Sequence, residues 1–336
     1  MHVVVPCMTE PRAHWLAAFV ACVIAISNAD AASVCSIDHA YPEVSELSVV
    51  DGRLVATLGS RFSNRSAGQR DERVRLALGA DQEWARIEPG PMPRARASTA
   101  CMNPPLDVEW LRRNYREPDP TTGFQQSIDV CTSDGESVWG GIGFYGDEDG
   151  WGVGGLVRQD LASGRFEYHR PYALLNYSVS TIQYFDGRLW LGRTQHGECV
   201  GPEPGFGLSY YDEARDSLRD VPEVCGFAIR SMSVFRGDLW VASDLGLARG
   251  RIAESGPVVW QNFVPDLDDH RLMRPVICDA FYEELLRSPD MAADTAFDRG
   301  YAFEEFWKTL SKVRPTFVSR YLRRLHGHAP AGESGK

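Results

Sequence analysis

Y-F-D-G-R-L-W-L-G at residues 184–192 is nearly repeated by V-F-R-G-D-L-W-V-A at residues 234–242. Two weaker copies share the pattern, I-D-V-C-T-S-D-G-E-S-V-W-G-G-I at 128–142 and L-S-V-V-D-G-R-L-V-A-T-L at 47–58. Self-similarity at a fixed period is typical of chains built from structural repeats. The repeated phrase therefore decides the fold, and the segments that do not repeat are set aside for function.

The period is marked by one tryptophan in each of three copies. Trp139, Trp190 and Trp240 follow one another at intervals of 51 and 50 residues, and Val55 takes the tryptophan's place in the first copy. Val55 and Trp139 are 84 positions apart, so about 33 additional residues separate the first two copies. We assign this insertion to residues 89–124, where W-L-R-R-N-Y-R favours a helix over a strand.

Each copy predicts a β-hairpin, because Asp-Gly or Gly-Asp between β-branched and aromatic runs tolerates the positive φ of a tight turn. A second pair of strand-like runs follows each copy, and four antiparallel strands per period near 50 residues indicate a β-propeller blade. A β-sandwich is the alternative, but it gives no reason for evenly spaced tryptophans. We predict an all-β fold with four blades, or five if the insertion hides one, at residues 44–88, 125–170, 178–222 and 229–264.

The last two copies carry a family resemblance. D-G-R-L-W-L-G is followed by Gly-Leu at 207–208, and G-D-L-W-V-A is followed by Gly-Leu at 246–247. This pattern resembles the propeller repeats in sensor domains of bacterial two-component regulators and of related exported bacterial propellers. The resemblance covers about residues 44–264 and implies an extracytoplasmic propeller that senses a ligand or acts as a scaffold. Val55 and Arg193 depart from the family pattern.

The N-terminus predicts export. Arg12 and His14 precede an apolar run at 15–26, and Ala29-Asp30-Ala31 supplies the small residues that signal peptidase reads. We predict a signal peptide at 1–31, a lead-in at 32–43 and a periplasmic or secreted protein. A retained membrane anchor is the alternative, and no other apolar stretch is long enough to cross a membrane.

Charge and cysteines restrict the partners and the compartment. The formal net charge of -11, with both signs mixed, argues against a nucleic-acid partner. The absence of C-x-x-C disfavours a zinc ribbon or a thioredoxin-type site. Six cysteines remain after signal cleavage, and in an exported chain they predict up to three disulfides. The favoured pairs are Cys199–Cys225, Cys35–Cys278 and Cys101–Cys131, with Cys35–Cys101 and Cys131–Cys278 left open.

Blade geometry places the long insertions on one face. Suppose that the first strand of each blade starts at one end of the propeller and runs to the other. Two kinds of connection then emerge at the starting end, namely those between strands two and three and the links between blades. We call this end the loop face and the opposite end, with the strand one-to-two turns, the turn face. The insertion 89–124 and the loops 144–154 and 194–205 fall on the loop face. Loops clustered on a rigid scaffold commonly carry function, so this face is predicted to bind a ligand or partner.

The candidate residues offer several chemistries. The acidic turn at 147–149 has hard oxygen ligands that calcium prefers, but its spacing does not match an EF-hand and a solvated turn is favoured. Two histidines with a carboxylate could bind zinc or perform acid–base chemistry, although unpartnered exposed histidines are more common. We predict no bound cofactor or metal, with calcium or zinc as alternatives. The candidate binding residues are Tyr145, Asp147, Asp149, Trp151, His169, His196 and Glu198.

The pattern changes to helical after Cys278. Apolar residues follow helical spacing at 303–310 and again after Pro315, which suits a helix start. We predict a helical segment at 265–326 that packs on the propeller, and a disordered tail at 327–336. The alternative is that the many basic residues of this helical segment dock an acidic partner or an anionic membrane surface.

Two functional hypotheses follow. The favoured one is an exported binding or scaffold protein of the bacterial envelope that uses the loop face for a protein, small-molecule or carbohydrate ligand. The alternative is an extracytoplasmic lyase or hydrolase with a histidine–carboxylate site on the same face. The sequence contains no G-x-S-x-G, H-E-x-x-H, phosphate-loop or dinucleotide motif, so no catalytic residue is assigned.

Overall fold

A computed structural model describes the greater part of the repeat region and two C-terminal helices. The described residues are 43–59, 74–87, 101–114, 125–145, 154–175, 177–194, 205–253, 257–265, 273–287, 307 and 310–327. Among these residues, no helix is both long and apolar enough to cross a membrane. The predicted signal peptide, lead-in and C-terminal tail lie outside the described residues, apart from Glu43, the first residue of the first strand, and Gly327, the last residue of the final helix.

Four antiparallel sheets form the body, and each consists of strands that are consecutive in the chain. Blade 1 contains β1 (Glu43–Val50), β2 (Arg53–Gly59), β3 (Val74–Leu78) and β4 (Trp84–Ile87). Blade 2 contains β5 (Gln125–Ser133), β6 (Ser137–Tyr145), β7 (Gly155–Asp160) and β8 (Phe166–His169). Blade 3 contains β9 (Ser178–Phe185), β10 (Arg188–Thr194), β11 (Gly205–Asp212) and β12 (Ser217–Asp220). Blade 4 contains β13 (Ile229–Phe235), β14 (Asp238–Ser243), β15 (Gly246–Ile252), β16 (Val258–Pro265) and a fifth strand, β17 (Met273–Val276).

The repeated phrase forms the first hairpin of its blade, as predicted. In three copies both central turn residues have positive φ, which is the conformation of a type I′ turn and matches the twist of the paired strands. The turn residues and their φ values are Asp51 (49°), Gly52 (70°), Asp186 (52°), Gly187 (68°), Arg236 (52°) and Gly237 (79°). The arginine shows that this geometry, rather than aspartate itself, is common to the copies.

The blades pack face to face in the order 2, 3, 4, 1. The first strands β5, β9, β13 and β1 lie in contact in that order, which places them at the centre of the arrangement. Separate apolar clusters fill the interfaces between blades 2 and 3, 3 and 4, and 4 and 1. The chain is therefore a β-propeller, and the predicted fold class is confirmed.

The marker tryptophans fill the blade interfaces. Trp190 is 1% exposed, packs against Trp260 of blade 4 at 5.5 Å between ring centroids, and donates its indole N–H to the carbonyl of Phe185. Trp240 meets Trp84 of blade 1 edge-on at 5.7 Å. Each tryptophan thus points to the following blade, where its large apolar surface stabilises the contact.

The small residue two positions after each tryptophan has a separate role. A Cβ atom added to Gly192 would lie 2.6 Å from Cβ of Ile229, and one added to Gly141 would lie 2.5 Å from Cβ of Val179. Ile229 and Val179 belong to the first strand of the next blade. Glycine at this position allows the strand to approach the first strand of the next blade. In W-x-G the tryptophan therefore fills the interface and the glycine permits the close contact.

The insertion packs on blade 2. The short helix α1 (Val108–Asn114) confirms the helical prediction, and Leu111 and Met102 bury themselves with Ile142 and Val157 on the face of blade 2 turned away from blade 3. The expected Cys101–Cys131 bond is present, with Cα atoms 6.2 Å apart. The insertion was assigned to the loop face, and residues 101–107 run along the sheet and bring Cys101 beside the central strand.

The C-terminal segment begins with a strand that precedes its helices. Residues 273–276 form β17, which extends blade 4. Pro275 lacks an N–H, and an edge strand tolerates this because one of its sides has no neighbour. Two helices follow as expected, α2 (Cys278–Arg287) and α3 (Pro315–Gly327).

Two of the favoured disulfides are wrong. Cys225 is bonded to Cys278, so neither Cys199–Cys225 nor Cys35–Cys278 forms. The pairing was missed because Cys278 was placed in a segment with no known position, whereas α2 lies directly on the link between blades 3 and 4. Cys35 and Cys199 lie outside the described residues.

Candidate functional site

The C-terminal helices occupy part of the loop face. Helices α2 and α3 share an apolar cluster with Phe227 of the link between blades 3 and 4 and with Leu245 of the connection between β14 and β15. Both of these connections emerge at the loop face by the blade geometry. We call α2, residues 310–313 and α3 the helical cap. It covers the loop face over blade 4.

Polar contacts fix the cap to the propeller. The amide N–H of Gly226 donates to Oη of Tyr282 in α2 at 3.1 Å, and burial raises the pKa of Tyr282 to about 12. Asp244 Oδ1 accepts the N–H groups of Phe227 and Ala228. These bonds satisfy the backbone of a buried link, which would otherwise destabilise the fold.

The basic side chains of the cap are largely paired within it. Arg314 and Arg320 both contact Asp279, and Arg324 contacts Glu283 at 2.5 Å. Surface pairs of this kind contribute little stability individually, but they direct these guanidinium groups towards α2. The packing of the helices on the propeller is observed, and docking of an acidic partner stays a prediction.

An ion pair between a buried arginine and an exposed aspartate lies at the loop-face end of blade 3, and it is the centre of the candidate site. Arg193 comes near the end of β10 and Asp220 ends β12; their Nη2 and Oδ1 atoms are 2.5 Å apart. The Arg193 side chain is only 8% exposed, whereas that of Asp220 is 67% exposed. Burial lowers the pKa of Arg193, and the neighbouring Asp220 carboxylate offsets part of this effect. Arginine remains charged, so the pair presents a fixed carboxylate to solvent.

Further contacts hold the carboxylate in place. Ser209 Oγ donates to the same Asp220 oxygen at 2.8 Å, and the Arg193 guanidinium reaches the carbonyl of Ala173 at 3.5 Å. Arg193 Nε has no hydrogen-bond partner among the described residues. A preorganised acceptor lowers the entropic cost of binding, because it need not be ordered when a ligand arrives.

Aromatic rings lie on the Arg193 side of the ion pair. Phe206 lies 5.8 Å from the Arg193 guanidinium, and its ring centroid is 4.4 Å from that of Tyr177. Tyr172, which adjoins Ala173 in the link between blades 2 and 3, is 89% exposed. Tyrosine is enriched at binding surfaces, and Tyr172 is next in sequence to Ala173, whose carbonyl the Arg193 guanidinium reaches.

His169 does not lie on an exposed face. It is buried between blades 2 and 3, where its Nδ1 is 3.0 Å from Tyr211 Oη and its ring centroid is 5.2 Å from that of Trp139. Tyr211 donates to Asp216, so His169 Nδ1 acts as the donor. Burial and the hydrogen bond to Asp216 raise the pKa of Tyr211 well above its usual value. The residue that looked like a ligand or catalytic base is instead part of a blade interface.

The remaining candidates are not brought together in the described structure. Tyr145 ends β6, but its side chain is outside the described part. Asp147, Asp149, Trp151, His196 and Glu198 lie outside the described residues. Within the described ranges, no group of three or more potential ligands could hold a metal ion.

Sequence reasoning missed Arg193, Asp220 and Tyr172. Arg193 was noticed only as a departure from the family repeat, and that departure was the available signal. A charged residue at the buried end of a β strand requires a partner. The partner, Asp220, could not be identified without the register of β11 against β12.

No family model and no curated protein sequence matches this chain. Several solved structures are similar, and they are β-propeller proteins. The extracellular domain of a B. thetaiotaomicron protein assigned to the one-component systems is 14% identical, with a TM-score of 0.28, and aligns over 70% of this chain and 35% of its own. This chain thus spans about a third of that structure.

Two enzymes are similar at the same level. A sialidase of Trypanosoma rangeli is 11% identical, with a TM-score of 0.28, over 67% of this chain and 38% of its own. Arabinanase Arb43A of Bacillus subtilis is 11% identical, with a TM-score of 0.25, over 68% of this chain and 90% of its own. Similarity at this level concerns the fold and carries no information on substrate.

Proposed function

We propose that this chain is an extracytoplasmic binding or scaffold protein that recognises a ligand or protein partner at the loop face beside the helical cap. The observation that carries the proposal is the exposed Asp220 carboxylate, held by the buried Arg193 and flanked by the exposed Tyr172. Two disulfides support an oxidising compartment, in agreement with the expected signal peptide.

The enzymatic alternative gains no support from the described residues. It depended on His169 or His196 with a carboxylate, and His169 is enclosed by Trp139 and Tyr211. A general base must reach the proton that it removes from a substrate. We therefore place Arg193, Asp220 and Tyr172 in binding roles and assign no catalytic residue.

The test compares the two faces of the propeller. Tyr172→Ala and Asp220→Asn are expected to weaken capture of the native envelope partner by about tenfold or more, since central aromatic and paired charged groups dominate binding energy. The measurement is retention from an envelope extract on the immobilised protein, followed by titration of the recovered partner. Tyr172→Ala should leave the melting temperature unchanged.

Leu161→Ala is the matched control, because Leu161 is an exposed apolar residue in the β7–β8 turn at the opposite end of a blade. It should bind as the wild type does. Loss of capture in Leu161→Ala, with full capture by both loop-face variants, would place the binding surface on the turn face and refute the proposal.

A further inference from the structure

One junction of the ring differs from the other three. The contacts among first strands run from β5 to β9, β13 and β1, and no comparable contact joins β1 back to β5 among the described strands. The junction between blades 1 and 2 is also the only one at which the sequence carries a long insertion and lacks the marker tryptophan.

Blade 1 has a distinct surface at this junction. Because side chains alternate across a strand, Val55 and Thr57 point away from the cluster shared with blade 4, to which Leu54 and Ala56 belong. These outward residues occupy the positions that hold tryptophan and glycine in blade 3. Val55 is nevertheless only 2% exposed, and Thr57 and Ala77 on the same face are buried as well. The face of blade 1 towards this junction is therefore covered.

Blade 2 is covered at the same junction by the insertion itself. Met102 and Leu111 are buried on this face, and Trp110 packs at the edge of the same cluster. Two hydrogen bonds add to this contact, from Gln126 Nε2 to the Pro104 carbonyl at 3.1 Å and from Tyr168 Oη to the Pro105 carbonyl. The Cys101–Cys131 bond then ties the segment to β5, the central strand.

We propose that residues 101–114 act as a strap that closes the ring between blades 1 and 2, and that the Cys101–Cys131 bond is the latch of this strap. The direct blade interfaces use a tryptophan and a small residue two positions later, whereas blade 1 has Val55 and Thr57 at these positions. The strap supplies the missing apolar surface from outside the repeat. The latch limits the freedom of the segment in the open state, which is how a disulfide favours a closed one.

The test is hydrogen exchange, measured by mass spectrometry on the full chain carrying Cys101→Ser and Cys131→Ser together. Exchange should rise on the order of tenfold in β5–β8 and also in β2 and β3 of blade 1. It should not change in β10, β11 or β14, whose interfaces have their own tryptophans. Blade 1 is the decisive readout, because the two cysteines lie in the insertion and in blade 2.

A second variant and a control keep the result interpretable. Leu111→Ala removes buried strap surface with both cysteines intact and should give the same pattern in blades 1 and 2. Cys225→Ser with Cys278→Ser removes the second disulfide seen among the described residues and should loosen the helical cap without affecting blade 1. Increased exchange confined to residues 101–114 and β5, with blade 1 unchanged in both strap variants, would overturn the proposal.

Discussion

Trp190→Ala is expected to lower the free energy of unfolding by about 3 to 5 kcal/mol, the cost of removing a large buried aromatic side chain from a core. Trp190 is enclosed by Trp260 and Tyr210, each at 5.5 Å between ring centroids. Its removal leaves a cavity between blades 3 and 4 that β strands held by backbone hydrogen bonds cannot close. The loss should be measured by denaturant unfolding, with tryptophan fluorescence and circular dichroism as independent probes.

Tyr172→Ala is the control for this prediction. Tyr172 is an aromatic residue of similar size, but it is 89% exposed, so its removal should change the free energy of unfolding by less than about 0.5 kcal/mol. A loss below about 1 kcal/mol for Trp190→Ala would mean that the tryptophan does not fill the interface. The role of the repeated phrase would then have to be reconsidered.

The second large effect is expected from Cys225→Ser combined with Cys278→Ser. The bond spans 53 residues in sequence, and the chain-entropy relation gives a stabilisation of roughly 4 kcal/mol for such a loop. Since the bond joins α2 to the link between blades 3 and 4, the helical cap should lose more stability against local opening than the rest of the chain. Exchange of the α2 and α3 amides should accelerate, and the melting temperature should fall.

The contrast between regions makes this prediction specific. The hairpins of blades 2 and 3 do not depend on the cap, so their amides should keep their protection at temperatures below the transition. Equal acceleration throughout the chain would show that the bond stabilises the whole fold through the unfolded state alone. Unchanged protection in α2 and α3 would contradict the cap's dependence on the bond.

The architecture could be predicted because its signals are local. Asp186 and Gly187 specify a turn through their own backbone preferences, and strand alternation places Trp190 on one side of its sheet whatever the neighbouring blade contains. When such a feature repeats at a fixed interval, it also predicts how the blades are arranged. The helix that begins at Pro315 could be predicted for the same reason.

The disulfides and the candidate site could not be predicted because they depend on distant contacts. Cys278 pairs with Cys225 only because α2 docks on the loop face, and nothing in the helical pattern gives that position. His169 was assigned to an exposed face from its place at a strand end, whereas the facing Tyr211 encloses it. The role of Arg193 becomes evident only when the pairing of β10, β11 and β12 places it beside Asp220.

Hydrogen exchange of the protein with and without its captured partner tests the loop face most directly. Protection on binding is expected in the peptides that contain Tyr172, Phe206 and Asp220, with no change at the turns around Asp51, Asp186 and Gly237. Protection confined to those turns, with the loop face unchanged, would contradict the assignment of binding to the loop face.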